Sequence, residues 1–115
     1  MAKTNKYYIL KTLQEIDLIQ KYSQGLSVSD LENNPAILDG IVFRMVQMSE
    51  HMNNISPEFK YAHSEIEWMN IKGFRNKLVH DYGNVDLTFV YNAINEDIPK
   101  LKDNLELILK EDESL

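Results

Sequence analysis

A chain of 115 residues is long enough for one domain around one core, and its 43% hydrophobic and 26% charged residues are the balance of a folded soluble protein. It has no cysteine, which excludes disulfides, a thiolate nucleophile and thiolate metal sites. A formal charge of −6 excludes a whole-protein attraction for nucleic acid, so RNA binding would need a local basic patch or one assembled from two subunits.

The opening stretch "MAKTNKYYILKTLQ" lacks the apolar core of a signal peptide, and no apolar run is long enough to span a bilayer. The expectation is a cytoplasmic protein of one domain, residues 1–115. Helix one is predicted from an N-cap at Thr4 to a stop near Gly25, with Ile9, Leu13, Ile16 and Ile19 as its stripe, widened by Leu10. "SVSDLENN" reads as a polar connection with room for one helical turn. Helix two opens at "NNPAIL", where Asn34 caps and Pro35 takes the first helical position. Ile37, Ile41, Met45, Met48, Met52 and Ile55 form one face, broadened by Leu38, Val42 and Val46. So wide a stripe suits a central helix or one buried on two sides. Opposite it runs a polar row of Arg44, Gln47, His51 and Asn54 beside Glu50, either a solvent face or the wall of a cleft with helix three. Ser56-Pro57 ends this helix and can begin a short helical connector.

Helix three is expected over roughly Ser64 to Asp81, with Ser64 or His63 near its start and Gly83-Asn84 as its stop. Glu65 and Glu67 would favour its positive end, and Trp68, Ile71, Phe74 and Leu78 would face the core. Helix four begins at the cap Asp86. Leu87, Tyr91, Ile94, Ile98, Leu101, Leu105 and Ile108 follow steps of four and three, the seam of a bundle. Pro99 interrupts the seam and should kink the helix or split it. The acidic tail, about 110–115, should fray. No stretch alternates as a strand does. The fold class is therefore all-α, an antiparallel four-helix bundle with a kinked or split last helix.

Chemistry concentrates in "RNKLVHDY", residues 75–82. Seven residues apart on a helix, Arg75 and Tyr82 project in nearly the same direction, while Asn76 and His80 stack one turn apart. RNA carries its own nucleophile, the 2′-OH. Cleavage needs that hydroxyl deprotonated, the phosphate charge stabilised and the leaving oxygen protonated. Histidine moves protons near neutral pH, arginine grips phosphate oxygens with a fixed charge, and asparagine orients the ring or donates to the phosphate. No metal or cofactor is required. One histidine does not easily serve as acid and base together, so a symmetric dimer joining two patches would supply the second set. Lys72 and Lys77 add positive charge beside Arg75, although solvated helix charge is the usual fate of lysines. A purely structural account covers the same residues: Asn76 bonds locally, Arg75 pairs with an acid such as Glu50, and His80 meets the helix terminus.

Other candidates are weaker. His51 and His63 lack partners at metal-ligand spacing and read as incidental surface histidines. The carboxylates of Glu65 and Glu67 would point apart on a helix. The chain's four glycines are scattered and form no phosphate loop. The methionines of helix two read as core filler.

The run "IKGFRNKLVHDYGNVD" resembles the signature of HepT-like proteins of the HEPN superfamily. "VQMSEHMNNIS" around Glu50, Trp68 upstream, and "NVDLTFVYNAINEDIPKL" downstream extend the likeness over nearly the whole chain. Family members often carry a glycine before the helix-two glutamate, where this chain has Ser49. The resemblance implies a helical bundle that dimerises with the signature at the dimer cleft. It also implies a metal-independent endoribonuclease acting as the toxin of a toxin–antitoxin pair, whose antitoxin is a minimal nucleotidyltransferase. Arg75 and His80 would be the catalytic pair, with Asn76 assisting. Tyr82 matches the tyrosine that the antitoxin modifies with AMP (AMPylation), and a negatively charged adduct beside Arg75 would block and repel RNA. Some superfamily members instead bind nucleotides or support a nucleotidyltransferase without cutting RNA. A non-catalytic module that binds such an enzyme or its nucleotide substrate is thus the alternative.

Overall fold

A threonine ahead of a helical stripe is a start signal, and Thr4 acts as one: its side chain accepts a 3.1 Å hydrogen bond from the Tyr7 N–H and opens α1 (Asn5–Ser23). The chain turns away at Gly25, whose φ of 74° lies in the left-handed region that favours glycine. This computed structural model describes residues 3–68, 73 and 86–115. Within those residues the fold is all helical.

The polar connection forms α2 (Val28–Glu32), closed by a reciprocal capping box between Ser27 and Asp30. Its one buried side chain, Leu31, ties the turn to the core. Next comes α3 (Pro35–Asn53), with the proline where its missing N–H is harmless. Asn34 is the capping residue, but its side chain donates backward to the Asp30 carbonyl at 2.9 Å rather than closing α3. Ser56 caps α4 (Pro57–Ala62) by accepting from the Phe59 N–H. The Ser56 backbone N–H and hydroxyl also bond the two ends of the Asn5 amide, at 3.0 and 3.1 Å. The start of α1 thus meets the residues just beyond α3, so the two helices run antiparallel.

Asp86 caps α5 (Leu87–Asn92), and a π turn (Ala93–Asp97) leads into α6 (Ile98–Glu111). The interruption expected at Pro99 is therefore a split. A proline ring crowds the carbonyl four residues earlier and offers no N–H. The π turn widens the backbone just before it, with the Ile98 N–H reaching the Ala93 carbonyl five residues back.

The core forms where α1 lies along α3, with α6 and the π turn against α1 and with α2 against α3 and α5. Ile9, Ile16, Ile19, Ile41, Met45 and Leu105 are fully shielded from water. Two expected core positions are exposed, Leu10 at 42% and Ile37 at 37%, while Leu13, Leu38, Val42, Val46, Leu87 and Tyr91 are half-buried against the core. Leu10 is one residue step, about 100° of helix, off the Ile9 face. That face admits Thr12 instead, fully buried, its hydroxyl donating to the Tyr8 carbonyl at 2.7 Å. On the last helix the expected seam is buried from Ile94 to Ile108, joined by Val90 and Ala93 as the π turn shifts the phase.

Residues 63–67 form a turn rather than the first turn of helix three, and Trp68 is the first helical residue after it. Trp68 packs against the core, as expected, and its indole N–H donates to the His63 carbonyl at 2.9 Å. Ile71, Phe74, Leu78 and most of the third expected helix lie outside the described residues. Beyond α6, the Asp112 N–H donates to the Ile108 carbonyl at 2.8 Å, and Leu115 packs against the core.

Candidate functional site

Arg75, Asn76, His80 and Tyr82, together with Lys72 and Lys77, lie outside the described residues. Glu50 is described. It sits half-buried on the last turns of α3. Its neighbour Ser49 is buried, and the hydroxyl donates to the Met45 carbonyl at 3.0 Å. A serine folds back on its own helix in this way without leaving a polar atom unpaired, so Ser49 is accommodated where the family often carries glycine.

The polar row of α3 divides between two surroundings. Arg44 reaches across to α1 and pairs with Glu15 at 3.4 Å. Its guanidinium also lies 5.3 Å from the centre of the Phe43 ring. His51 is half-buried in the field of charges from both helices. Burial is the main influence on it and lowers its pKa; Glu15 and Glu50 pull it back up, while Lys11 and Lys3 push it further down. Asn54, at the exposed end of the row, donates to the Glu50 carbonyl at 2.8 Å. Part of the row thus belongs to the α1–α3 seam, and part faces solvent. It supplies a neutral-leaning imidazole and a paired arginine. Among the described residues no group of three or more histidine, aspartate or glutamate side chains could hold a metal ion.

The described chain reaches the signature region from two anchored ends. On one side Trp68 is held by its indole bond to the His63 carbonyl. On the other, the Asp86 carboxylate accepts from the Phe89 N–H at 3.1 Å. Sequence reading undervalued His63. Its Nε2 lies 2.8 Å from Asp112 and its Nδ1 lies 3.2 Å from Glu65. The Asp112 contact spans 49 residues of chain, and no local pattern announces it. Glu65 finds the ring only because residues 63–67 turn instead of forming the helix that was expected there.

The comparisons with known proteins fit this fold. A family model described as "Ribonuclease HepT-like" matches residues 12–108. A protein of Caldanaerobacter subterraneus named "Putative RNase" is 29% identical over 96% of this chain and 98% of its own. One of Thermococcus cleftensis named "Probable ribonuclease HepT" is 28% identical over 96% of this chain and all of its own length. The chain also matches, at 29% identity, half the length of a Methanocaldococcus jannaschii protein named "Gamma-glutamylcyclotransferase and putative RNase". No solved structure matches. With most of its length matched by the family model and a helical bundle to carry it, the chain belongs to the HepT-like ribonuclease family.

Proposed function

We propose that residues 1–115 act as one HepT-like domain, a metal-independent endoribonuclease that serves as the toxin of a toxin–antitoxin pair in the cytoplasm. The observation that carries this reading is the family match across residues 12–108, which takes in Glu50 and the whole of "RNKLVHDY". Arg75 stabilises the phosphate, His80 transfers protons and Asn76 positions them. Lys72 and Lys77 supply local positive charge on a chain whose overall charge is −6, and Glu50 supports the site. A homodimer supplies the second set of groups. Ile37 and Phe43, 37% and 53% exposed on α3, give apolar surface to such an assembly. A minimal nucleotidyltransferase acts as the antitoxin and transfers AMP to Tyr82, placing negative charge where RNA phosphates would enter. Among the described residues, no helix is long and apolar enough to cross a membrane.

The test is RNA cleavage by the purified protein in the presence of a chelator. Cleavage should fall by about 10²–10⁴-fold in His80→Ala, with comparable loss in Arg75→Ala, while the helical circular dichroism is kept. Undiminished cleavage in both variants would overturn the assignment. The acidic balance favours one other reading, a non-catalytic module that binds the nucleotidyltransferase or its nucleotide substrate. Partner binding with no cleavage by the wild-type protein would select it.

A further inference from the structure

An imidazole has two ring nitrogens, and in its neutral form only one carries hydrogen. Carboxylates accept hydrogen bonds and cannot donate them. His63 directs Nε2 to Asp112 at 2.8 Å and Nδ1 to Glu65 at 3.2 Å, so both contacts are hydrogen bonds only when the ring is protonated. We propose that His63 is a proton-operated clasp. Charged, it fastens the turn at 63–67 to the segment that follows α6; neutral, it lets one of the two carboxylates go.

The surroundings suit a charged ring. The Phe59 ring lies 4.4 Å from the imidazole, tilted by 38°, a contact that gains when the imidazole is cationic. Asp112 is already oriented, since its other oxygen accepts from the Ser114 N–H and hydroxyl. Among the described residues, the charged groups that pair with His63 are Glu65 from its own turn and Asp112 from beyond α6. Lys60, on α4, holds its ammonium 5.9 Å from the centre of the Trp68 ring. The two carboxylates bond opposite nitrogens, which makes the cluster a bridge through the ring and not a chelate. Burial, the largest single influence, opposes the charge, but the hydrogen bonds and attraction of Asp112 and Glu65 together raise the His63 pKa. Asp112 is lowered in turn, first by its bond to Ser114 and then by His63.

The two arms are unequal. The Asp112 side chain is 18% exposed and makes the shorter contact, whereas Glu65 is 54% exposed. On deprotonation the remaining hydrogen stays at Nε2 with Asp112, and Glu65 is released to water. The turn at 63–67 thereby loses a side-chain tie at the residue whose carbonyl holds the Trp68 indole. Because the folded pKa is raised, the clasp contributes its full stability below the unfolded histidine value of about 6.5 and loses it as pH rises through the folded value.

The chain's sole tryptophan is Trp68, so the clasp has a built-in reporter. The experiment follows the His63 ring proton by NMR and Trp68 fluorescence from pH 5 to 9. Measurements use the full chain and its Asp112→Asn, Glu65→Gln and His63→Gln variants. In the wild type both signals should titrate together above the ordinary histidine value. Asp112→Asn should shift the midpoint down strongly and Glu65→Gln more weakly. His63→Gln should abolish the fluorescence step and the loss of thermal stability that accompanies it. A His63 midpoint at or below the ordinary value, or one unmoved by Asp112→Asn, would overturn the proposal.

Discussion

Along the α1–α3 seam, His51 lies half-buried among Glu15, Glu50, Lys11 and Lys3; where α4 meets the end of α6, His63 lies half-buried between Asp112 and Glu65. The first is pushed toward the neutral form and the second toward the charged form. Burial is the largest influence on both. It prevails at His51, where charges of both signs act through space and largely oppose one another. It is overturned at His63, where each nitrogen has its own carboxylate at bonding distance. The same division separates the ways the two regions are held. The seam joins two 19-residue helices through isoleucine and methionine packing, with ions only at its edge. The other region consists of a short helix, a turn and the residues beyond Glu111, stitched together by side-chain hydrogen bonds.

This contrast breaks most visibly at the core of the seam. Ile16→Ala, at a fully buried position, should lower stability by about 2–5 kcal/mol through lost transfer energy and the cavity left behind. Leu10→Ala, six residues earlier on the same helix at a 42% exposed position, should cost only a fraction of that. Denaturant unfolding of both variants measures the difference. Equal losses would mean that Leu10 is covered in solution, as a dimer interface on that face would do. Ser56→Ala is next in size. It removes the α4 cap and one half of the tie to Asn5, and should cost about 1 kcal/mol in the same measurement.

How much of this was legible in the sequence follows from the range of the forces involved. Thr4, Ser56 and Asp86 each cap through a bond to the N–H three residues on, so residue type and neighbours were enough to find the starts of α1, α4 and α5. The buried stripes of α1, α3 and α6 were legible for the same reason, since helical periodicity is local. The ends of those stripes were not: whether Leu10 or Ile37 is covered depends on what other helices reach. Pro99 announced an interruption, but the five-residue π turn that absorbs it had no sequence signature. Of the candidate site residues, Glu50 lies on α3, where helical periodicity put it, beside the buried Ser49; Arg75, Asn76, His80 and Tyr82 lie outside the described residues. His63 was misjudged because its stronger partner, Asp112, lies at the far end of the chain, in a stretch expected to fray.

The smallest expected effect returns to the two histidines and tests the seam's side of the contrast. Glu15→Gln removes the strongest upward pull on His51 and the partner of Arg44. The Arg44 side chain is 31% exposed, so the lost ion pair should cost no more than about 1 kcal/mol. His51 should nevertheless titrate lower than in the wild type while His63 stays where it is. The sign of the stability effect is opposite at the two sites. A lowered folded pKa means that the unfolded chain binds more protons, so His51 costs stability as pH falls below about 6.5, in the range where His63 contributes most. Two-dimensional NMR titration of both rings, paired with melting curves at pH 5.5 and 8, separates these contributions. If Glu15→Gln left His51 unmoved, the cross-helix charge would be fully screened by water. Burial alone would then account for the seam, and the contrast with His63 would reduce to the presence or absence of a direct carboxylate bond.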